Sequence, residues 1–487
     1  MQVELYTEPS QDSSMTECAI RLLAPDVSTR NPVHIILLID ISTSMDENNK
    51  LENVKQCCSN MLQFLNEHDR ISLITFGETG TLHLQRVAAD ETNKTSIRET
   101  IQHLQSDGCT NLSAGLGHVH TVCQEGGDAI KTGLLLLTDG DANRGVSTPD
   151  ELRSLMRNLR GTYEQLSIQC VAYGVDHNQE LLRGFAEDNA GSYNVVNDIE
   201  DTAFAFGDAL GGLMSCAFQN VVIQVPSETK VHGPWVTSHE HTYRKIHIGD
   251  VYSGTKPLVL CTIPKSELEQ PTLPIVCKGM ALPTFHPFSI TPTVIPIQSR
   301  MIDIELTRLR YKCTELLQSL KNWQSGNETI LQTKIQDFQT AVEDTFFDGH
   351  PIANLLRNEV AVLRTLLDER MNMGYSDRQA LNVVAEQHIT SIGLGRGFSS
   401  PMANHRRRRR RSTHEFTWGI SIQNPIQTLD VDAYGDGDEN PVSLVPDPTV
   451  SAETPIHLDE STFQNPIQRQ MATLMRHASQ PCNHSSV

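Results

Sequence analysis

At 487 residues and 38% hydrophobic content, the chain is long enough for roughly two to four compact units. Its formal charge of -20 argues against a general nucleic-acid-binding surface, because phosphate recognition relies on lysine and arginine. No apolar run reaches the ~20 residues that a membrane span needs. The opening "MQVELYTEPSQDSS" has no basic segment leading into an apolar one. Eleven cysteines, an odd number, are scattered along the chain. These features predict an intracellular protein, cytoplasmic or nuclear, with reduced thiols.

The predicted elements begin with residues 1–32, a strand segment containing "ECAIRLLAP" from Glu17. Residues 33–212 alternate short aliphatic runs with helical stretches. The runs are "VHIILLI", "RISLITF", "TLHLQRV", "TGLLLLT", "SIQCVAYGV" and "SYNVV", and helices are predicted from near Lys50, Thr95, Asn111, Pro149, Gln179 and Ile199. Several runs are apolar on both faces, which predicts an α/β domain with a doubly wound, mostly parallel, Rossmann-like sheet. Residues 213–298 return to strand-like patterns, among them "AFQNVVIQV", "TYRKIHIGDVY" and "PLVLCTIP". The first segment is expected to pair with these strands in a small β-sandwich.

From residue 299 the period becomes helical. Ile302, Leu306, Leu309, Cys313, Leu316 and Leu320 recur at steps of three and four, as do Leu331, Ile335, Phe338 and Val342, and then Leu356, Val360, Leu363, Leu367 and Met371. A helical bundle is expected over 299–394, with a capping box "SDRQ" at Ser376 opening its last helix. Residues 395–487 lack sustained periodicity and read as a disordered tail. Within it stand the arginine run Arg406, Arg407, Arg408, Arg409, Arg410 and Arg411, and a sequence echo, "IQNPIQ" from Ile422 and "FQNPIQ" from Phe463. The last stretch, "FQNPIQRQMATLMRHA", is compatible with an amphipathic helix after Pro466. The arginine run resembles a nuclear-localisation or anion-binding patch, so a nuclear-import receptor or nucleic acid is one candidate partner. The competing reading is a solvated linker held against the acidic sequence that follows.

The strongest chemical signal is "IILLIDISTSM". A buried strand ends in Asp40, with Ser42 and Ser44 at i+2 and i+4. Aspartate and serine are also ordinary turn and cap residues, so this pattern alone leaves a capped turn open. "GCTNLSAGL" adds Thr110 just before a helix, and "LLLLTDGDANRG" adds Asp139 at the end of another buried strand. Strand ends in a doubly wound sheet open into one crevice, where five oxygen-bearing side chains from three loops would converge.

Together these residues resemble the von Willebrand factor type A domain over roughly residues 33–212, and specifically its metal-ion-dependent adhesion site. That site has the form Asp-x-Ser-x-Ser, then Thr, then Asp, here Asp40, Ser42, Ser44, Thr110 and Asp139. The resemblance implies that Asp40, Ser42 and Ser44 ligate a divalent cation directly, while Thr110 and Asp139 do so directly or through water. Magnesium is the expected ion, with Mn2+ or Ca2+ as alternatives. Two carboxylates and three hydroxyls leave a hard cation short of charge and open to an Asp or Glu carboxylate from a partner protein. The implied function is metal-dependent adhesion or scaffolding without catalysis. The segments after the domain, including "FQNPIQRQMATLMR", resemble the Vwaint region of intracellular type A domain proteins. Some of those relatives carry a RING finger or an intein-like module. Here the N-terminus lacks a cysteine–histidine zinc array, and 213–298 is too short for an intein-like module with the β-segment.

The alternatives are a component of a ubiquitin-ligase-type assembly that lacks a RING, or a hydrolase. A phosphotransfer aspartate usually has a second carboxylate at i+2, where Ser42 stands, and no Gly-x-Ser-x-Gly turn supports a serine nucleophile. His118 and His120 are two apart on a predicted helix and diverge, so they do not form a zinc pair. Cys57 and Cys58 are expected to be one buried and one lateral thiol.

Overall fold

The structure, a computed structural model, describes residues 1–8, 14–26, 30–125, 130–139, 142–173, 177–188, 191–196, 199–233, 235–321, 328–370, 471 and 474–475. Two strands come first, β1 (Gln2–Glu8) and β2 (Met15–Leu23). The α/β unit then runs through β3 (Val33–Asp40), α1 (Lys50–Met61), β4 (Arg70–Phe76), β5 (Gly80–Ala88), α2 (Glu91–Gln102) and α3 (Leu112–Gln124). It continues through β6 (Lys131–Thr138), α4 (Pro149–Thr162), β7 (Leu166–Tyr173), α5 (Gln179–Asp188), β8 (Ser192–Val196) and α6 (Ile199–Ser215).

These six strands form one sheet in the order β5-β4-β3-β6-β7-β8. β3 pairs in parallel with β4 and β6, β6 with β7, and β7 with β8, whereas edge strand β5 is antiparallel to β4. Every residue of β3 and β7 is buried, because helices cover both faces. Alternate β3 residues Ile35, Leu37 and Ile39 enter a core with α1, α2 and α6, while Ile36 and Leu38 enter the opposite core with α3, α4 and α5. The chain runs from β3 to β4 on one side and places β6 on the other. The crevice of the sheet therefore opens at the carboxyl ends of β3 and β6.

Two local expectations are corrected. The second helix starts at Glu91 rather than near Thr95, because the Asp90 carboxylate accepts from the Asn93 N–H at 2.8 Å and caps it there. Cys57 and Cys58 are both fully buried, since α1 packs against both α2 and α6 as well as the sheet. All ten cysteines among the described residues are free thiols.

After α6 the chain passes directly into β9 (Cys216–Pro226), then β10 (Lys230–Val231), β11 (Val236–His239), β12 (Tyr243–Tyr252), β13 (Leu258–Pro264), the short α7 (Lys265–Leu268), β14 (Val276–Ala281), β15 (His286–Ile290) and β16 (Thr293–Pro296). Two five-stranded sheets result, β10-β13-β2-β1-β16 and β11-β12-β9-β14-β15. Their inner faces share one core, in which Leu5, Ile20 and Leu22 meet Val221, Ile223 and Ile246. β2 pairs antiparallel with β13, Cys18 opposite Cys261, so the α/β unit is inserted between strands of a sandwich. The junction is polar and closed. Lys131 Nζ lies 2.7 Å from Asp250 Oδ2, and the Ser167 hydroxyl donates to the same oxygen at 2.5 Å.

Three helices follow, α8 (Ile302–Lys321), α9 (Glu328–Val342) and α10 (Pro351–Arg370). Leu309, Cys313, Leu316, Ile335, Phe338 and Leu363 form part of their common core. Ile304, Tyr311 and Leu355 seat the helices on the outer face of the first sandwich sheet, against Tyr6, Ala19 and Leu260. There the Trp235 indole N–H donates to the Tyr311 hydroxyl at 2.9 Å, and that hydroxyl donates to the Leu258 carbonyl at 3.2 Å. The Ser376 capping box, Met371, the arginine run 406–411 and the "IQNPIQ" copy from Ile422 lie outside the described residues.

Candidate metal centre

Three loops meet where β3 and β6 end. The first, after β3, is tied to the loop before α3: the Asp107 N–H donates to the Ile41 carbonyl at 2.6 Å and the Thr43 N–H to the Gly108 carbonyl at 3.1 Å. Gly77 permits this approach, because a Cβ there would lie 2.3 Å from the Asp107 carbonyl oxygen. The loop before α3 is tied in turn to the loop after β6. The Thr110 N–H donates to Asn143 Oδ1 at 2.8 Å, and the Asn143 N–H donates back to the Thr110 carbonyl at 3.0 Å.

Four of the five residues singled out from the sequence form a connected chain. The Asp40 Oδ1 accepts from the Ser42 N–H at 2.8 Å, the Ser42 and Ser44 hydroxyls are 3.1 Å apart, and Ser44 donates to Asp139 Oδ1 at 2.8 Å. Thr110 is also buried, and its backbone is held by Asn143. Asp40, Ser42, Thr110 and Asp139 are all buried, and Ser44 is half-buried.

Burying Asp40 pushes its carboxyl up to about 6. Hydrogen bonds from Ser42 and Thr138 oppose that rise, and the neighbouring Asp139 charge adds to it. The Thr138 hydroxyl donates to Asp40 Oδ2 at 2.5 Å across the β3–β6 pair.

Sequence reasoning did not assign Thr138, Asn143 or Lys50. Lys50 Nζ donates to Asp139 Oδ2 and, at 3.3 Å, to the Ser44 carbonyl. A signal for it was present: a lysine at the first position of a helix opposes the positive end of the macrodipole and calls for an acidic partner.

The donor set fits a hard divalent cation. It contains only carboxylate and hydroxyl oxygens, and a cationic group, the Lys50 ammonium, already stands against Asp139. Among the described residues no group of three or more His, Cys, Asp or Glu side chains could hold a metal ion. The present set, with two carboxylates and three hydroxyls, is of a different kind. His118 and His120 point apart, with His118 Nε2 3.2 Å from the Gly80 carbonyl and His120 packed on Tyr163.

The von Willebrand factor type A family matches residues 34–206, the span that carries this sheet and all three loops. The chain contains a von Willebrand factor type A domain. A solved structure named von Willebrand factor type A from Catenulispora acidiphila superposes with a TM-score of 0.59 at 14% identity. It covers 79% of this chain and 95% of its own, so the likeness in fold reaches beyond the type A domain. In sequence, the chain is 24% identical over 247 residues to the uncharacterized protein YfbK of Escherichia coli, covering 49% of this chain and 41% of that protein. It is 27% identical over 179 residues to human inter-alpha-trypsin inhibitor heavy chain H3, covering 35% of this chain and 20% of that protein. The chain thus spans less than half the length of these curated relatives. Type A domains are generally non-catalytic adhesion or scaffold modules. No helix among the described residues is long and apolar enough to cross a membrane.

Proposed function

We propose that the type A domain captures a partner protein through a divalent cation, Mg2+ in the first instance, held by Asp40, Ser42, Ser44, Thr110 and Asp139. The observation that carries this reading is the linked set of Asp40, Ser42, Ser44 and Asp139 at the ends of two adjacent parallel strands. The ion would act as a Lewis acid and bind a carboxylate of the partner. The chain's own residues do the rest. Thr138 and the Ser42 N–H orient Asp40, and the Asn143 clamp holds the Thr110 loop in place. Lys50 offsets one carboxylate charge, so a divalent ion would leave the cluster with excess positive charge suited to an Asp or Glu side chain.

Purified full-length protein should capture a partner in Mg2+ and release it in chelator, and Ser44→Ala should lose that difference. Capture that persists in chelator, or that the variant retains in full, would rule the reading out.

Lys50 makes a second expectation. Its ammonium, with a side chain only 16% exposed, competes with the ion for Asp139. Lys50→Met is expected to raise Mg2+ affinity by about five- to twentyfold, which calorimetric titration of the purified protein would read, as each ~1.4 kcal/mol is tenfold. Unchanged or weaker binding would mean that the ammonium does not oppose the ion.

A further inference from the structure

The chain after Arg370 enters the described structure at Met471, Leu474 and Met475, all three helical. Met475 is fully buried, and it lies in the core that α1, α2 and α6 form over one face of the type A sheet, together with Val54, Met61, Leu210 and Met214. Met471 is partly buried against the same core, whereas Leu474 is 39% exposed. A spacing of four puts the two methionines one turn apart on one face of a helix. Methionine suits such a role, because its unbranched thioether fills an irregular apolar groove and leaves it without strain.

We propose that this face of the type A domain is a docking groove for the chain's own C-terminal helix, anchored by Met471 and Met475 and detachable. The long stretch 371–470 between Arg370 and the anchor makes docking an intramolecular event, so even a weak two-residue anchor is favoured by effective concentration.

The sequence supplies its own control. The lead-in "FQNPIQ" before Met471 recurs as "IQNPIQ" from Ile422, but the positions matching Met471 and Met475 are Asp430 and Tyr434. A groove that reads the two methionines rejects that copy, because a carboxylate cannot enter an apolar site unpaired.

The test uses full-length protein and two fluorescent peptides, residues 463–478 and residues 422–437, with binding read by anisotropy. The 463–478 peptide should bind the Met471→Asp/Met475→Asp chain at least tenfold more tightly than wild type, whose groove its own helix fills. The 422–437 peptide should bind neither. Should the double variant fail to fold, as judged by circular dichroism, Met475→Ala is expected to give the same ordering of affinities. Equal binding of the 463–478 peptide to variant and wild type, or binding to neither, overturns the proposal. So does a wild-type dimer that this peptide converts to monomer, since the groove would then belong to a second copy.

Discussion

Asp40→Asn should make the ion-free protein more stable while removing its response to magnesium. The carboxyl of Asp40 sits at about 6 in the folded state against its ordinary value of 3.8, chiefly because burial penalises its charge. A raised folded value means that the fold prefers the protonated acid. Wild-type protein therefore loses stability as pH climbs from 3.8 through 6, and above that window the full penalty is present. A shift of this size corresponds to about 3 kcal/mol, or on the order of 5–10 °C in the melting of a domain this large. Asparagine keeps an acceptor for the Ser42 N–H and removes the charge. Thermal melts in chelator at pH 5 and pH 7.5 should show the variant above wild type, with the gap wider at pH 7.5. Saturating Mg2+ should raise the wild type, by about 2.7 kcal/mol at a hundredfold excess over Kd, and leave the variant unmoved. A variant less stable than wild type in chelator at pH 7.5 would contradict the buried-charge account.

The second large effect is predicted at the junction. Asp250→Ala would strand the Lys131 ammonium, whose side chain is only 1% exposed, and breaking such a pair costs about 3–5 kcal/mol. Lys131→Met in the same chain should recover most of that loss, because it removes the stranded charge and keeps the volume. Denaturant titration of the single and double variants separates the outcomes. A single variant within about 1 kcal/mol of wild type, or a double variant as unstable as the single, would show that the pair is not what closes this junction.

Much of this architecture is legible in the sequence because aliphatic runs and helical periods report burial directly. β3 and β6 announce themselves as continuous apolar strands, and Leu309, Cys313 and Leu316 fall on one helix face as they do in the bundle core. The oxygen-bearing residues are equally visible, since Asp40 and Asp139 each follow such a run. What the sequence does not display is pairing at a distance. β1, with its mixture of charged and apolar residues, has no strong strand signature alone, yet it lies between β2 and β16. Lys50 looks like an ordinary surface lysine until the fold brings Asp139, 89 positions away, against it. Cys57 and Cys58 mislead for a related reason, because burial on adjacent helix positions depends on how many neighbours a helix has, and periodicity reports only one face.

The insertion of the type A domain has a consequence for how such chains can be rebuilt. The segment entering the domain and the segment leaving it run side by side: the Asn31 N–H donates to the Met214 carbonyl at 3.1 Å, and the Asn31 side chain donates to the Cys216 carbonyl at 2.7 Å. A domain whose two ends lie this close can be cut out and replaced through a single doorway, leaving the strands on either side in register. The sandwich is then a socket, and a recognition domain with adjacent termini is the kind of plug it accepts.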